Sequence, residues 1–278
     1  MSAIDYEDEY DNPARVPEHP QIFRRWAEDS AQFRARHINS EIGIPYGASA
    51  RTKIDIFWPD ADRTSPIALF IHGGYWRALD PSSFSWLAPG CNRRGLACAV
   101  AGYDLCPAVT IDEIIGQMRA AAIFLFRQYG RRLVAYGHSA GGHLTACLLA
   151  TDWKSIARDL PADLVPAGLS ISGLFELAPM VVTKRNTDLR LDAESARRVS
   201  PLFWDVPPGR VLDAWVGSDE SSEFHRQSRT VVETWGRRGV VTRFAQVAGA
   251  NHFTVLDPLA DPESAMSVRL EELAKAAA

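Results

Sequence analysis

Short apolar runs alternate with amphipathic stretches along most of the chain. Runs such as IALFI and LVAY are continuous, which is typical of strands covered on both faces of a mostly parallel sheet. The pattern predicts strands over residues 53–58, 67–72, 96–102, 133–137, 168–172, 211–216 and 242–247. Helical spacing of apolar residues predicts helices over residues 83–93, 111–128, 141–151, 222–237 and 262–276. This alternation predicts a doubly wound α/β sheet with helices on both faces.

Two segments depart from the alternation. Residues 1–50 are rich in Pro, Glu and Arg, and their stretch 20–36 carries Ile22, Phe23, Trp26 and Phe33 at roughly helical intervals. Residues 174–206 are irregular and are either a lid or wall of a binding pocket or a long excursion with short helices. Since neither a repeat nor a linker divides the sequence, we expect a single domain over residues 1–278.

Composition narrows the class of protein. The 278 residues include 30 basic and 34 acidic side chains, for a net charge of −4, which argues against nucleic acid as the main partner. The four cysteines lack zinc-ligand spacing, so we expect buried free thiols in a reducing compartment. An acidic start and the absence of any apolar run near the ~20 residues that cross a bilayer predict a cytoplasmic protein without a membrane span.

The clearest chemical signal is a serine in a sharp turn. The string Gly137-His138-Ser139-Ala140-Gly141 follows a predicted strand and opens a predicted helix. In G-x-S-x-G turns of this kind, small residues allow a strained backbone that exposes the serine hydroxyl at the start of the helix. The sequence therefore predicts Ser139 as a nucleophile.

A serine hydroxyl needs a base to react at neutral pH. In this arrangement the acid and then the histidine follow the serine along the chain, which leaves His143, His225 and His252. His143 leaves no room for an intervening acid, and His225 lies among charged residues of a predicted helix. His252 lies in a loop after a predicted strand, so it is the predicted base.

The acid should lie in the loop after the predicted strand 211–216. Asp219 and Glu220 are adjacent there, within GSDESSEF. The role of the carboxylate is to hold the imidazole tautomer and to stabilise the imidazolium. By the local sequence alone, either Asp219 or Glu220 could be the acid.

A developing oxyanion needs main-chain donors. The predicted strand IALFI ends in His72-Gly73-Gly74-Tyr75-Trp76, and the N–H groups of Gly73, Gly74 and Ala140 can converge on one carbonyl oxygen. We expect His72 to be a structural hydrogen-bonding residue. Tyr75 and Trp76 either face the site or pack beneath it, and we favour the pocket wall for both.

HGGYW followed by GHSAGG resembles the kynurenine formamidase (arylformamidase) branch of the α/β-hydrolases. The larger hormone-sensitive-lipase-like group usually has a third glycine where this chain has Tyr75. The resemblance extends to YDNPARVPEHPQIFRRWAEDS, AGYDLCPAVTIDEI, ESSEFHRQS and NHFTVLDPLADP, which together cover nearly the whole chain.

The resemblance implies an α/β-hydrolase fold, a cap-like N-terminal segment and Glu220 as the acid. It also implies hydrolysis of a small molecule, N-formyl-kynurenine, to kynurenine and formate, with no metal and no organic cofactor. A small-acyl carboxylesterase or amidase is the alternative. A non-catalytic ligand-binding protein is disfavoured because serine, carboxylate and histidine are all present. The candidate cations for the substrate carboxylate are Arg77, Lys184, Arg185 and Arg190, and the sequence leaves both this choice and the oligomeric state open.

Overall fold

The computed structural model of the chain describes residues 4–277, and their strands join into one sheet of eight. The strands are β1 (Ser40–Pro45), β2 (Lys53–Phe57), β3 (Ile67–Ile71), β4 (Ala97–Ala101), β5 (Leu133–His138), β6 (Ala167–Ile171), β7 (Val211–Gly217) and β8 (Val241–Val247). Their order is β1-β2-β4-β3-β5-β6-β7-β8. Pairing is antiparallel for β1–β2 and β2–β4, and parallel from β4 through β8. The predicted doubly wound, mostly parallel sheet is confirmed.

The α-helices within residues 4–277 lie on both faces of this sheet. They are α1 (Tyr6–Glu9), α2 (Asn12–Arg15), α3 (His19–Arg36), α4 (Ala88–Arg93), α5 (Ile111–Tyr129), α6 (Ala140–Leu149), α7 (Trp153–Ile156), α8 (Asn186–Leu189), α9 (Ala193–Arg198), α10 (Ser222–Gly236) and α11 (Ala265–Ala277). Short 3₁₀ helices cover Pro81–Leu87, Ala178–Val182, Pro201–Phe203 and Thr254–Ala260. One apolar core holds Met118 of α5, Leu144 of α6 and Phe224 of α10. A second core, on the other face, holds Trp26 of α3 and Leu270 of α11.

The seven predicted strands are confirmed, with every end within one residue of its prediction. The parallel strands β3, β4, β5 and β6 are continuous runs of buried residues, because helices cover both of their faces. The predicted helix 83–93 divides into the 3₁₀ helix Pro81–Leu87 and α4. The last predicted helix begins at Ala265, three residues later than its predicted start at residue 262.

Strand β1 is the element that the sequence pattern missed. It is an edge strand of half-buried and exposed residues, with a register shift between Glu41 and Ile44. Gly43 adopts a φ of +69° in this bulge, and its N–H donates to Asp55 Oδ1 at 2.7 Å. Glycine and proline in a bulged edge strand remove the alternation by which a strand is recognised.

The two irregular segments both approach the carboxyl edge of the sheet. Helix α3 stacks Trp26 on Trp86 with ring centroids 6.0 Å apart. Asn12 of the preceding α2 bonds to Tyr75 in the loop after β3. Residues 174–206 fold into α8, α9 and the 3₁₀ helices Ala178–Val182 and Pro201–Phe203. Residues 1–3 of the predicted N-terminal segment and residue 278 lie outside the described residues.

Candidate active site

Ser139 lies in the turn between β5 and α6 with a φ of +55° and a ψ of −115°. Its N–H donates to Ile171 O at 2.8 Å. A Cβ atom at Gly137 would lie 2.4 Å from Gly141 O, and one at Gly141 would lie 1.9 Å from Ile71 O. Only glycine fits either position, because the turn and the first residues of α6 pack directly on backbone. The predicted strand–turn–helix context of the serine is therefore present.

His252 and Glu220 meet at the carboxyl ends of β7 and β8. His252 Nδ1 lies 2.6 Å from Glu220 Oε2, and their side chains are 5% and 0% exposed. The other oxygen, Glu220 Oε1, accepts from Gly217 N at 2.7 Å and from Ser172 Oγ at 2.5 Å. A carboxylate held at both oxygens fixes the imidazole as its Nδ1–H tautomer and leaves Nε2 to accept a proton.

Asp219 lies apart from this pair. Its side chain is exposed, and its Oδ1 accepts from Ser218 Oγ at 2.8 Å. Its N–H donates to Ala250 O at 3.0 Å, which turns the loop so that Glu220 points inward. Of the two adjacent carboxylates, the structure brings Glu220 to His252.

The other two histidines downstream of Ser139 have different surroundings. His143 is fully buried in α6, and its Nε2 bonds to Val199 O at 2.7 Å. His225 is half-buried on α10 and contacts Gln246 Nε2 at 3.3 Å. Neither contacts a carboxylate, as far as residues 4–277 are concerned, which fits the preference for His252.

His138, which directly precedes Ser139, links the serine turn to His252. The rings of His138 and His252 have centroids 4.7 Å apart. Within residues 4–277, His252 hydrogen-bonds to Glu220 and His138, and no bond joins its Nε2 to Ser139 Oγ. Nucleophile–base contacts are often long in ligand-free enzymes and shorten when substrate binds.

The loop after β3 lies against the serine. A Cβ at Gly73 would lie 3.0 Å from Ser139 Cβ, and Gly74 adopts a φ of +104°, where a Cβ would lie 2.4 Å from Ala78 O. In the part of the chain that is described, the amides of Gly73 and Gly74 donate to no protein acceptor. Ala140 is the first residue of α6, and a first-turn amide has no acceptor within its own helix. These three predicted donors are thus available to an oxyanion.

His72 is structural, in line with the sequence expectation. Its ring stacks 4.3 Å from Tyr103 and 5.8 Å from Phe84, and its Nδ1 bonds to Gly73 O at 2.8 Å. Burial lowers the pKa of His72 to about 4. A neutral imidazole therefore holds the start of the Gly73–Gly74 turn.

Tyr75 and Trp76 occupy different layers, although we expected both on the pocket wall. Tyr75 lines the pocket, donates to Tyr10 O at 2.8 Å and accepts from Asn12 Nδ2 at 3.0 Å. Trp76 is fully buried in the core and meets His143 edge to face at 5.0 Å. The expectation for Trp76 needs correction: its ring packs in the apolar core beneath the loop, and it does not line the cavity.

A cavity of about 380 Å³ opens beside His138 and His252. Phe23, Trp26, Tyr75 and Phe253 contribute aromatic walls. Phe23 lies 5.2 Å from Trp26 and 5.1 Å from Phe253 by ring centroids. Planar side chains at these separations form a surface that accepts an aryl group.

Two of the four candidate cations already have acidic partners. Arg185 lines the cavity and pairs with Glu7 at 3.2 Å and with Asp11 at 3.1 Å. Arg77 also lines the cavity and pairs with Asp188. Their charges are compensated within the protein.

Lys184 and Arg190 differ from Arg77 and Arg185 in their surroundings. Lys184 lines the cavity and is exposed, and no acidic side chain of residues 4–277 forms an ion pair with its Nζ. Arg190 lies at the C-terminal end of α8 and is exposed, away from the cavity walls. Lys184 is the candidate whose charge is available to a ligand.

Ser172, Phe23 and Trp26 are among the side chains at the site that sequence reasoning did not assign to it. Ser172 bonds to Glu220, and Phe23 and Trp26 form cavity walls. Ser172 does follow a buried strand, at the edge where parallel strands place functional groups, and this signal could have identified it. Phe23 and Trp26 lie at helical spacing, which predicts that they are buried but does not predict which residues they contact.

The chain is similar in sequence and fold to known hydrolases. No protein-family model matches the chain. The chain is 29% identical to the kynurenine formamidase of Danio rerio, over 84% of this chain and 81% of that protein. A crystal structure of a putative thioesterase from a Silicibacter species is 33% identical and covers 96% of this chain and 98% of its own, with a TM-score of 0.82.

The chain is a kynurenine formamidase-like α/β-hydrolase. An esterase of Pyrobaculum calidifontis shares the fold alone, with a TM-score of 0.72 and 17% identity over 93% of this chain and 94% of that one. The predicted α/β-hydrolase fold and the prediction of a serine hydrolase are confirmed. This hydrolase has, in residues 4–277, no helix with the length and apolarity to cross a bilayer. All four cysteines are free and buried.

Proposed function

We propose that this α/β-hydrolase cleaves N-formyl-kynurenine to kynurenine and formate, with Ser139 as nucleophile, His252 as base and Glu220 as acid. The observation that carries the proposal is the pair of His252 Nδ1 and Glu220 Oε2, 2.6 Å apart, beside an aromatic cavity and the serine turn. Similarity to the kynurenine formamidase of Danio rerio supports the substrate.

Acylation is the first half of the proposed reaction. His252 Nε2 takes the proton of Ser139 Oγ as the oxygen attacks the formyl carbon. The oxyanion receives hydrogen bonds from the amides of Gly73, Gly74 and Ala140, and loss of one such donor typically costs about 3 kcal/mol. The C–N bond then breaks, His252 gives its proton to the departing aniline nitrogen, and the formyl group stays on the serine.

Deacylation repeats the steps with water. His252 takes a proton from a water molecule, whose oxygen attacks the formyl ester. The second tetrahedral intermediate uses the same amide donors. Collapse returns the proton from His252 to Ser139 and releases formic acid, which loses its proton to solvent and leaves as formate.

The pocket supplies recognition in this proposal. Phe23, Trp26 and Phe253 receive the aryl ring, and Lys184 is the counter-ion of the amino-acid carboxylate. Since Phe23 and Trp26 belong to α3, residues 1–50 act as a cap that forms one wall of the pocket. Residues 174–206 form another wall through Lys184 and Arg185.

The test is formate release from N-formyl-kynurenine, compared with hydrolysis of p-nitrophenyl acetate. We expect a kcat/KM at least a hundredfold higher for the formamide, and no turnover of either substrate by Ser139→Ala. Equal or better turnover of the acetate would favour a small-acyl esterase. That alternative has its own support, because the 33% identical structure is that of a putative thioesterase, so an acyl thioester belongs in the same assay.

A further inference from the structure

His138 is the second residue of the serine turn, between Gly137 and Ser139. Its side chain is buried, with 3% of the residue exposed. His138 Nε2 lies 2.7 Å from the main-chain carbonyl oxygen of His252. Because a carbonyl oxygen only accepts, Nε2 carries the proton and donates it. A direct hydrogen bond thus joins the turn of the nucleophile to the loop of the base.

The ring also lies between two loops of the site. On one side its centroid is 4.7 Å from that of His252. On the other side, a Cβ at Gly73 would lie 3.0 Å from His138 Nδ1. Burial, and then the nearby His252, lower the pKa of His138 well below its ordinary value. The ring therefore stays neutral, with a single N–H committed to the His252 carbonyl.

We propose that His138 is a positioning residue, whose imidazole N–H holds the backbone of His252 at the serine turn. Two anchors then hold the base. Glu220 fixes the orientation of the His252 ring through Nδ1, and His138 fixes the place of its backbone. The inference rests on the proposed roles of Ser139 and His252, but not on the identity of the substrate.

The loop of His252 needs such an anchor. Gly249, with a φ of +67°, precedes it by three residues, and glycine gives a loop conformational freedom. Proton transfer from Ser139 to His252 requires atoms within hydrogen-bond distance. Misplacement of a reacting group by about 1 Å can cost roughly 100-fold in rate. A lost anchor should therefore act on kcat, since the aryl-binding walls remain.

The experiment compares His138→Gln with His138→Leu. Glutamine places an amide donor at nearly the same reach as Nε2, whereas leucine keeps volume and removes the donor. With p-nitrophenyl acetate as substrate, we expect His138→Leu to lower kcat roughly 100-fold with KM within about twofold, and His138→Gln to recover most of the loss. The rate of Ser139 labelling by a fluorophosphonate should fall in parallel.

His143→Gln is the matched control. His143 is also a buried imidazole whose Nε2 bonds to a main-chain carbonyl, that of Val199 at 2.7 Å, so its substitution should change stability and leave kcat nearly unchanged. Equal kcat for the glutamine and leucine variants of His138, or a change in KM alone, would overturn the proposal. If His138→Leu fails to fold, His138→Asn replaces it. Its amide is too short to reach the carbonyl, so it should lose kcat where His138→Gln does not.

The use of an acetate ester and a fluorophosphonate separates this result from the choice of substrate. An effect of His138 on the ester without any formamide turnover would support the positioning role and refute the formamidase. Formamide turnover that is insensitive to His138→Leu would support the formamidase and refute the positioning role of His138.

Discussion

His252 Nδ1 and Glu220 Oε2 lie 2.6 Å apart, with both side chains almost fully buried. The neighbouring Asp219 is exposed to solvent. Burial excludes water from the contact and strengthens the attraction between carboxylate and imidazolium. Of these two adjacent carboxylates, only Glu220 lies where it can orient the base.

Glu220→Gln should therefore lower kcat by about four orders of magnitude, because the wrong imidazole tautomer is then favoured. Asp219→Asn is the matched control and should stay within about twofold of wild type. The measurement is steady-state hydrolysis of N-formyl-kynurenine and of p-nitrophenyl acetate. A large loss confined to Asp219→Asn would show that the assignment of the acid is wrong.

Ser172→Ala should lower kcat about tenfold, because Glu220 Oε1 loses a hydrogen bond to a charged group and keeps only the amide of Gly217. The φ of Ser172 is +52°, and alanine bears the same backbone strain. Ser170→Ala is the control, since Ser170 is buried two residues earlier and its Oγ has no partner within residues 4–277. Equal kcat values for the two variants would contradict a role for Ser172.

Phe23→Ala should raise KM for N-formyl-kynurenine roughly fivefold, in keeping with the energy of one aromatic contact. KM for N-formyl-methylamine, which has no ring, should change less. Phe33→Ala on the same helix is the control, because Phe33 packs on Phe57 with ring centroids 5.2 Å apart. Identical KM changes for both variants would argue against α3 as a pocket wall.

Lys184→Gln should raise KM roughly two- to fivefold for N-formyl-kynurenine, as expected for an exposed charge pair. The effect should shrink with added salt and be absent for formanilide, which has no carboxylate. Lys154→Gln is the control, because Lys154 belongs to α7 and bonds to Arg158 O at 3.1 Å. An equal effect on formanilide would rule out the carboxylate as the partner.

Acid should unfold the protein in part through its buried histidines. Burial lowers the pKa of His143 and that of His72 to about 4, whereas an unfolded histidine titrates at about 6.5. Between these values the unfolded state binds more protons, so the free energy of unfolding falls as the pH falls. Each histidine contributes up to about 3 kcal/mol to this fall by pH 4.

His143→Gln checks that argument, because glutamine can donate to Val199 O and does not titrate. Urea unfolding from pH 7.5 to 4 should show a shallower loss of stability for the variant than for wild type. Parallel curves would mean that His143 is not a source of the acid sensitivity.

The sequence by itself determined the α/β sheet and the chemistry of the serine turn. Continuous apolar runs specify strands that are buried on both faces, and glycines around Ser139 specify a turn that packs on backbone. Both signals are local, so the sequence alone contains them. The bulged strand β1 was missed because its Gly43 and Pro45 break the local pattern.

Only the tertiary structure decided which side chains meet. The choice of Glu220 over Asp219 depends on how the loop after β7 turns toward His252. Trp76 was expected at the pocket and lies in the core, while Phe23 of the distant α3 forms the pocket wall. Contacts of this kind join residues far apart along the chain, and their geometry depends on the packing of whole elements, which a local pattern of apolar and polar residues does not encode.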